Sequence, residues 1–138
     1  MNSEVLRQEL LQNIGSSTAA DRSLIASEIL KTPDSIEFLM DILFEEPPLS
    51  TRFSWLLGDI SMKDSNYSNV ILAFFKSNYQ RINVKDKDRV IAKQAMLYGK
   101  DPGEDLEAWL MNKLLACFAY PQGSKSLESY SLKYLDYF

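Results

Sequence analysis

The feature that most constrains this chain is its helical periodicity, which recurs along nearly the whole length while strand alternation is scarce. Apolar residues return at i, i+3, i+4 and i+7, the spacing of one face of a helix. Ile36, Leu39, Met40 and Leu43 make one such stripe, and Phe53, Leu56, Leu57 and Ile60 make another. Tyr67, Val70, Ile71, Phe74 and Phe75 make the clearest. Turn signals separate the stripes: Gly15 with Ser16, Ser17 and Thr18; Thr32-Pro33-Asp34; Glu45-Glu46-Pro47-Pro48; Lys63-Asp64-Ser65; Pro102-Gly103; Pro121-Gln122-Gly123. Gly stops helices, while Ser, Thr and Asp begin them and Pro suits their first position.

Read this way, the chain holds eight helices. The first runs from about Ser3 to Ile14 on Leu6, Leu10 and Ile14, and the second from about Thr18 to Lys31 on Ile25, Ala26, Ile29 and Leu30. The third carries Ile36 to Leu43, and the fourth, capped by Ser50 or Thr51, carries Phe53 to Ile60 with Trp55 beside its stripe. The fifth carries Tyr67 to Phe75. Asn78 to Asp88 reads as a polar linker before the sixth helix, about Asp88 to Tyr98, whose stripe is Ile91, Ala95 and Tyr98. The seventh carries Leu106, Leu110, Leu114, Cys117 and Phe118, with Glu104, Asp105 and Glu107 where the helix dipole favours negative charge. The eighth carries Leu127, Tyr130, Tyr134, Leu135 and Phe138.

Eight short helices joined by short turns suit an α-α superhelix of antiparallel pairs better than a four-helix bundle. Three segments look alike as second helices of a pair, beginning near Arg52, Arg89 and Lys125, at spacings of 37 and 36 residues. That period fits HEAT and armadillo units. A length of 138 residues, 46% of them hydrophobic, suits a single globular domain over residues 1–138.

Composition removes several functions. The chain has no histidine and one cysteine, Cys117, so Ser-His and Cys-His nucleophilic systems, histidine ligands and an internal disulfide are absent. Cys117, beside Leu114, Leu115 and Phe118, reads as an inert buried thiol. The net charge of −4 disfavours nucleic acid as a partner. No apolar run approaches the ~20 residues of a membrane span, and Met1-Asn2-Ser3-Glu4-Val5-Leu6 lacks the marks of a signal peptide. The expected address is the cytoplasm, with neither cofactor nor metal.

The segment Ser23 to Phe75 carries a resemblance. Phe38-Leu39-Met40-Asp41-Ile42-Leu43 is followed by Arg52-Phe53-Ser54-Trp55-Leu56-Leu57-Gly58-Asp59-Ile60 and then by the helix with Ile71, Phe74 and Phe75. This resembles the HEAT-like, armadillo-type helical proteins found in Bacteroidetes, in which an Arg-x-x-Trp-Val-Leu-like segment opens a second helix. Arg52 and Trp55 match it, and Leu114 to Tyr134 matches the family's later Cys-Phe segment and following helix more loosely. The resemblance covers about two thirds of the chain, implies a helical repeat, and brings no catalytic residues. Proteins of this type sometimes carry the name adenylosuccinate lyase. The residues here do not support that activity, since Gly15-Ser16-Ser17-Thr18 lacks the Met-Pro of the lyase loop and histidine is missing.

The expected function is therefore a non-catalytic scaffold for an unidentified protein partner. Trp55 is expected to be buried between the third, fourth and fifth helices, and Arg52 to pair with Glu45, Glu46 or a neighbouring repeat, both in structural roles. Candidate partner-binding residues are Trp109, the cations Arg81, Lys85, Lys87, Arg89 and Lys93, and the tyrosines Tyr130 and Tyr134, which share a face and offer a route to a homodimer. The ordinary reading of Trp109 is packing. The cations, with Lys100, make a stretch over residues 81–100 that Asp86 and Asp88 dilute to +4, against −8 for the rest of the chain. A solvated surface is its ordinary reading, and a nucleic-acid or acidic-protein patch the alternative. A second alternative is an enzyme using carboxylates alone, among Glu37, Asp41, Glu45 and Glu46, although a solvated loop is the plainer account of that cluster.

Overall fold

A computed structural model describes residues 3–32, 34–98 and 103–119. Among them the chain is all helical, with seven α-helices, three 3₁₀ turns and no strand. None of these helices is long and apolar enough to cross a membrane. The expected eighth helix, with Tyr130 and Tyr134, lies outside the described residues. The chain packs as two compact units: the first takes the described residues of Met1–Asp64 with Arg81–Lys85, the second those of Ser65–Gln80 with Asp86–Phe138.

In the first unit, α1 (Ser3–Asn13) runs into a 3₁₀ turn, Ile14–Ser16. Helix α2 (Ala19–Leu30) begins on a capping box: the Thr18 side chain accepts from the Asp21 N–H, and the Asp21 carboxylate accepts from the Thr18 N–H at 2.9 Å. The expected third helix divides into α3 (Ser35–Leu39) and a 3₁₀ stretch, Met40–Phe44. Its apolar positions still face inward, since Ile36, Leu39, Met40, Ile42 and Leu43 are all buried.

Helix α4 (Pro47–Lys63) starts three residues before the expected cap. The two prolines open the helix rather than breaking it, because the first helical positions need no intrahelical N–H partner. Ser50 is then inside the helix and buried, donating to the Asn83 carbonyl. Phe53, Leu56, Leu57 and Ile60 fill the core of this unit, and α4 packs chiefly on α2.

The linker reading needs correction at 81–85. This segment is a non-helical strap on the first unit, with Ile82 and Val84 buried and Asn83 and Lys85 outward. The Asn83 N–H donates to the Leu43 carbonyl at 2.8 Å, its side chain donates to the Glu45 carbonyl, and the Lys85 N–H donates to the Thr51 hydroxyl. The strap thus ties down the end of the 3₁₀ stretch and the start of α4.

The second unit packs α5 (Ser68–Ser77), α6 (Lys87–Tyr98) and α7 (Glu104–Ala119) against one another pairwise. Ile71, Leu72 and Phe75 of α5, Ile91, Ala92 and Ala95 of α6, and Leu106 and Leu110 of α7 make its core. A polar contact lies within that interior, Gln94 Nε2 to the Ser68 hydroxyl at 3.2 Å. Asp86, with φ +56°, turns the chain just before α6, and its carbonyl accepts from the Val90 N–H. Gly103, at φ +90°, makes the corresponding turn before α7.

Candidate functional site

Helix α4 has two unlike faces. At about 100° per residue, Trp55 falls about 160° from Phe53, on the side away from the core. The expectation of a buried Trp55 is therefore corrected: the residue is 44% exposed. Adjacency to Leu56 in sequence does not place it in the stripe. Arg52, Asp59 and Met62 share its outward face at i−3, i+4 and i+7, and Met62 is exposed as well.

Trp55 is exposed but held. The guanidinium carbon of Arg22, from α2, lies 5.3 Å from the indole ring centre, and that of Arg52 lies 5.4 Å away. Both are within cation–π range, and arginine stacks on tryptophan more readily than lysine does. Each arginine is fixed in turn. Arg52 donates to the Ser17 carbonyl at 2.6 Å. Arg22 Nε faces Asp59 Oδ2 at 3.4 Å, an ion pair that falls short of hydrogen-bond alignment although both atoms are shielded from solvent. Asp59, too far along α4 to serve Arg52, thus holds the second arginine. The result is an aromatic plane flanked by two cations, with one carboxylate to balance them.

The partner expected for Arg52 belongs to another residue. Arg7 of α1 bridges Asp41 Oδ1 at 3.2 Å and Glu45 Oε1 at 2.9 Å. Partial burial alone would lower the Arg7 pKa. Hydrogen bonds and charge from Asp41 and Glu45 outweigh that and raise it above the ordinary arginine value. The acidic cluster is therefore partly a clamp between α1 and the 3₁₀ stretch after α3. Among the described residues no group of three His, Cys, Asp or Glu side chains lies close enough together to hold a metal ion.

Trp109 has a different setting. Half-buried on α7, it meets the Tyr79 ring edge-on, with centroids 6.0 Å apart and planes at 78°. Tyr79 lies between two ammonium groups, Lys87 at 4.0 Å and Lys113 at 3.6 Å from its ring centre, and its hydroxyl donates to Asp88 at 2.6 Å. Lys113 also reaches within 4.0 Å of Asp88 and 5.9 Å of the Trp109 ring. These contacts join α7 to α6 and to the turn after α5.

The basic stretch divides between the units, with Arg81 and Lys85 in the first and Lys87, Arg89 and Lys93 in the second. Arg81 lies 4.2 Å over the Phe44 ring, and Lys87 also donates to the Tyr79 carbonyl at 2.9 Å. Arg89 and Lys93 are exposed one turn apart on α6. Lys100, Tyr130 and Tyr134 lie outside the described residues.

A groove of about 800 Å³ runs between α1 and α2, lined by Leu6, Leu10, Leu24 and Ile25 among others. Sequence reasoning missed it. The signal was Leu24, an apolar residue off the stripe of its own helix.

Compared with known proteins, the chain matches no family model, no curated protein and no solved structure.

Proposed function

We propose that this chain is a non-catalytic helical interaction module, built of HEAT-like helix pairs, that engages a protein partner through the outward face of α4 with Trp55 as its anchor. The observation that carries the reading is Trp55 itself, a large aromatic left exposed yet fixed between two arginines that are themselves tied down. Interface hot spots are enriched in tryptophan and arginine. A side chain already held in place loses little freedom on binding, which favours affinity. The nucleic-acid reading of residues 81–100 draws less support, because Arg81 and Lys87 are engaged on aromatic rings within their own units.

The test is quantitative affinity enrichment from cells of the source organism, using the full chain, Trp55→Ala and Trp109→Ala as baits. The expected result is a set of proteins retained by the full chain and by Trp109→Ala but lost with Trp55→Ala. Identical sets for the full chain and Trp55→Ala would refute the assignment.

A further inference from the structure

The α1–α2 groove has its own chemistry. Its apolar lining comes from Leu6 and Leu10 of α1 and from Leu24 and Ile25 of α2. Leu24 is 69% exposed, more than any other described large hydrophobic side chain. Leu24 thus lies at a groove wall where water covers it in the free chain. The volume, about 800 Å³, is in the range of sites that bury a small ligand or several side chains of a peptide.

The charged groups along the groove are mostly acidic. Glu9 comes from α1, and Asp21 and Glu28 from α2; among the described residues lining it the one cation is Lys31, already paired with Glu28 at 2.8 Å. Asp21, Leu24, Ile25, Glu28 and Lys31 follow one stripe of α2 at i, i+3, i+4, i+7 and i+10. The capping bonds from Thr18 hold the Asp21 carboxyl below its ordinary pKa.

Three occupants compete. A second copy meeting this face about a two-fold axis would place the same acidic rim opposite itself, and like charges there repel. An anionic lipid surface meets the same repulsion. A helix with apolar anchors and basic flanks satisfies both the apolar lining and the rim, and α1, about 16 Å long, offers room for anchors at i, i+3 or i+4, and i+7.

We propose that the α1–α2 groove is a second binding site, which takes an amphipathic helix of another protein, with leucine-type anchors on one face and lysine or arginine along its flanks. This site is independent of the Trp55 surface, and either stands if the other fails.

The probe is a labelled peptide of about 16 residues, long enough to be partly helical in isolation. It carries Leu at i, i+3, i+4 and i+7 and Lys at the flanking positions, and a companion peptide carries Glu in place of Lys. Binding to the full chain is read by fluorescence anisotropy. The Lys peptide is expected to bind at least about tenfold more tightly than the Glu peptide, with an affinity that falls as salt is added. Leu24→Glu is expected to weaken the Lys peptide at least about tenfold, with an unchanged thermal melt because the side chain is exposed. Glu9→Lys with Glu28→Lys is expected to reverse the preference between the peptides, while Trp55→Ala leaves it unchanged. Equal binding of the two peptides, no binding of either, or no effect of Leu24→Glu would overturn the proposal. So would a dimer of the full chain, seen by sedimentation velocity and abolished by Leu24→Glu, which would assign the groove to a second copy.

Discussion

The two tryptophans are both flanked by cations, and the cations serve different ends. In the second unit, Trp109 and Tyr79 form one edge-to-face pair, with Lys87 of α6 and Lys113 of α7 both on the Tyr79 ring and Lys113 also reaching Asp88. Those ammonium groups join elements, and the aromatic rings are the surface on which they join. In the first unit, the arginines at Trp55 are anchored elsewhere, one on the Ser17 carbonyl and the other on Asp59. They brace a ring that remains half in water. An aromatic whose neighbours depend on it is packing, whereas one that is merely braced is available. The geometry of α4 explains why the second arrangement arises, since among the described residues the face opposite Phe53 and Leu57 leaves Trp55 exposed.

The largest effect should come from the other side of the same helix. Phe53, fully buried, is expected to cost about 3–5 kcal/mol on replacement by Ala, as for aromatic truncations in cores. Trp55→Ala should cost only about 1 kcal/mol, mostly the two cation–π contacts. Paired denaturant melts decide the point, and a Trp55→Ala loss equal to that of Phe53→Ala would erase the distinction between the faces.

Trp109→Ala should fall between them, at about 2–3 kcal/mol, because it is half-buried and removes the partner of Tyr79. A Trp109 loss smaller than that of Trp55 would invert the comparison. Lys113→Met keeps the aliphatic stem but removes the charge from Tyr79 and Asp88, and is expected to cost about 0.5–1 kcal/mol, with the difference shrinking in high salt.

The smallest effect concerns the α2 cap. Hydrogen bonds from Thr18 lower the Asp21 pKa below its ordinary value of 3.8. A depressed carboxyl contributes stability that is present above the unfolded value and fades as pH falls through the folded one. Asp21→Asn should therefore matter at neutral pH and converge on the parent chain in acid below the usual aspartate range. Amide exchange in the first turn of α2 would report it, and a difference that persists unchanged in strong acid would remove the cap from the account.

Much of the fold was legible in sequence. Stripes at i, i+3, i+4 and i+7 located α4 and gave its core residues, because helix periodicity and burial are the same fact seen twice; in α5 they gave Ile71 and Phe75, but Val70 is exposed and Leu72, outside the stripe, is buried. Thr18 was one of three cap candidates, with Ser16 and Ser17, for a local reason, a hydroxyl near free N–H groups, and the structure selects it. The strap at 81–85 was missed, although Ile82-Asn83-Val84-Lys85 alternates buried and exposed with period two, because its polar flanks and short length hid it. Trp55 was placed one residue from Leu56 when the angle, and not the neighbour, decides its face. Of its braces, Arg52 lies at i−3 on the same helix face and was within reach of local reasoning. Arg22 and Ser17 come from earlier elements, and no local pattern brings them to this indole.

The central claim is that Trp55 is accessible and yet held. Replacing Trp109 with Phe leaves Trp55 as the one tryptophan of the chain and keeps an aromatic edge for Tyr79. Acrylamide quenching and time-resolved fluorescence anisotropy of that variant then test both halves of the claim at once. The account expects efficient quenching with no independent nanosecond rotation of the indole, and the appearance of such rotation when Arg52→Ala removes one brace. An indole that resists quenching, or one that already rotates freely with both arginines in place, would contradict it.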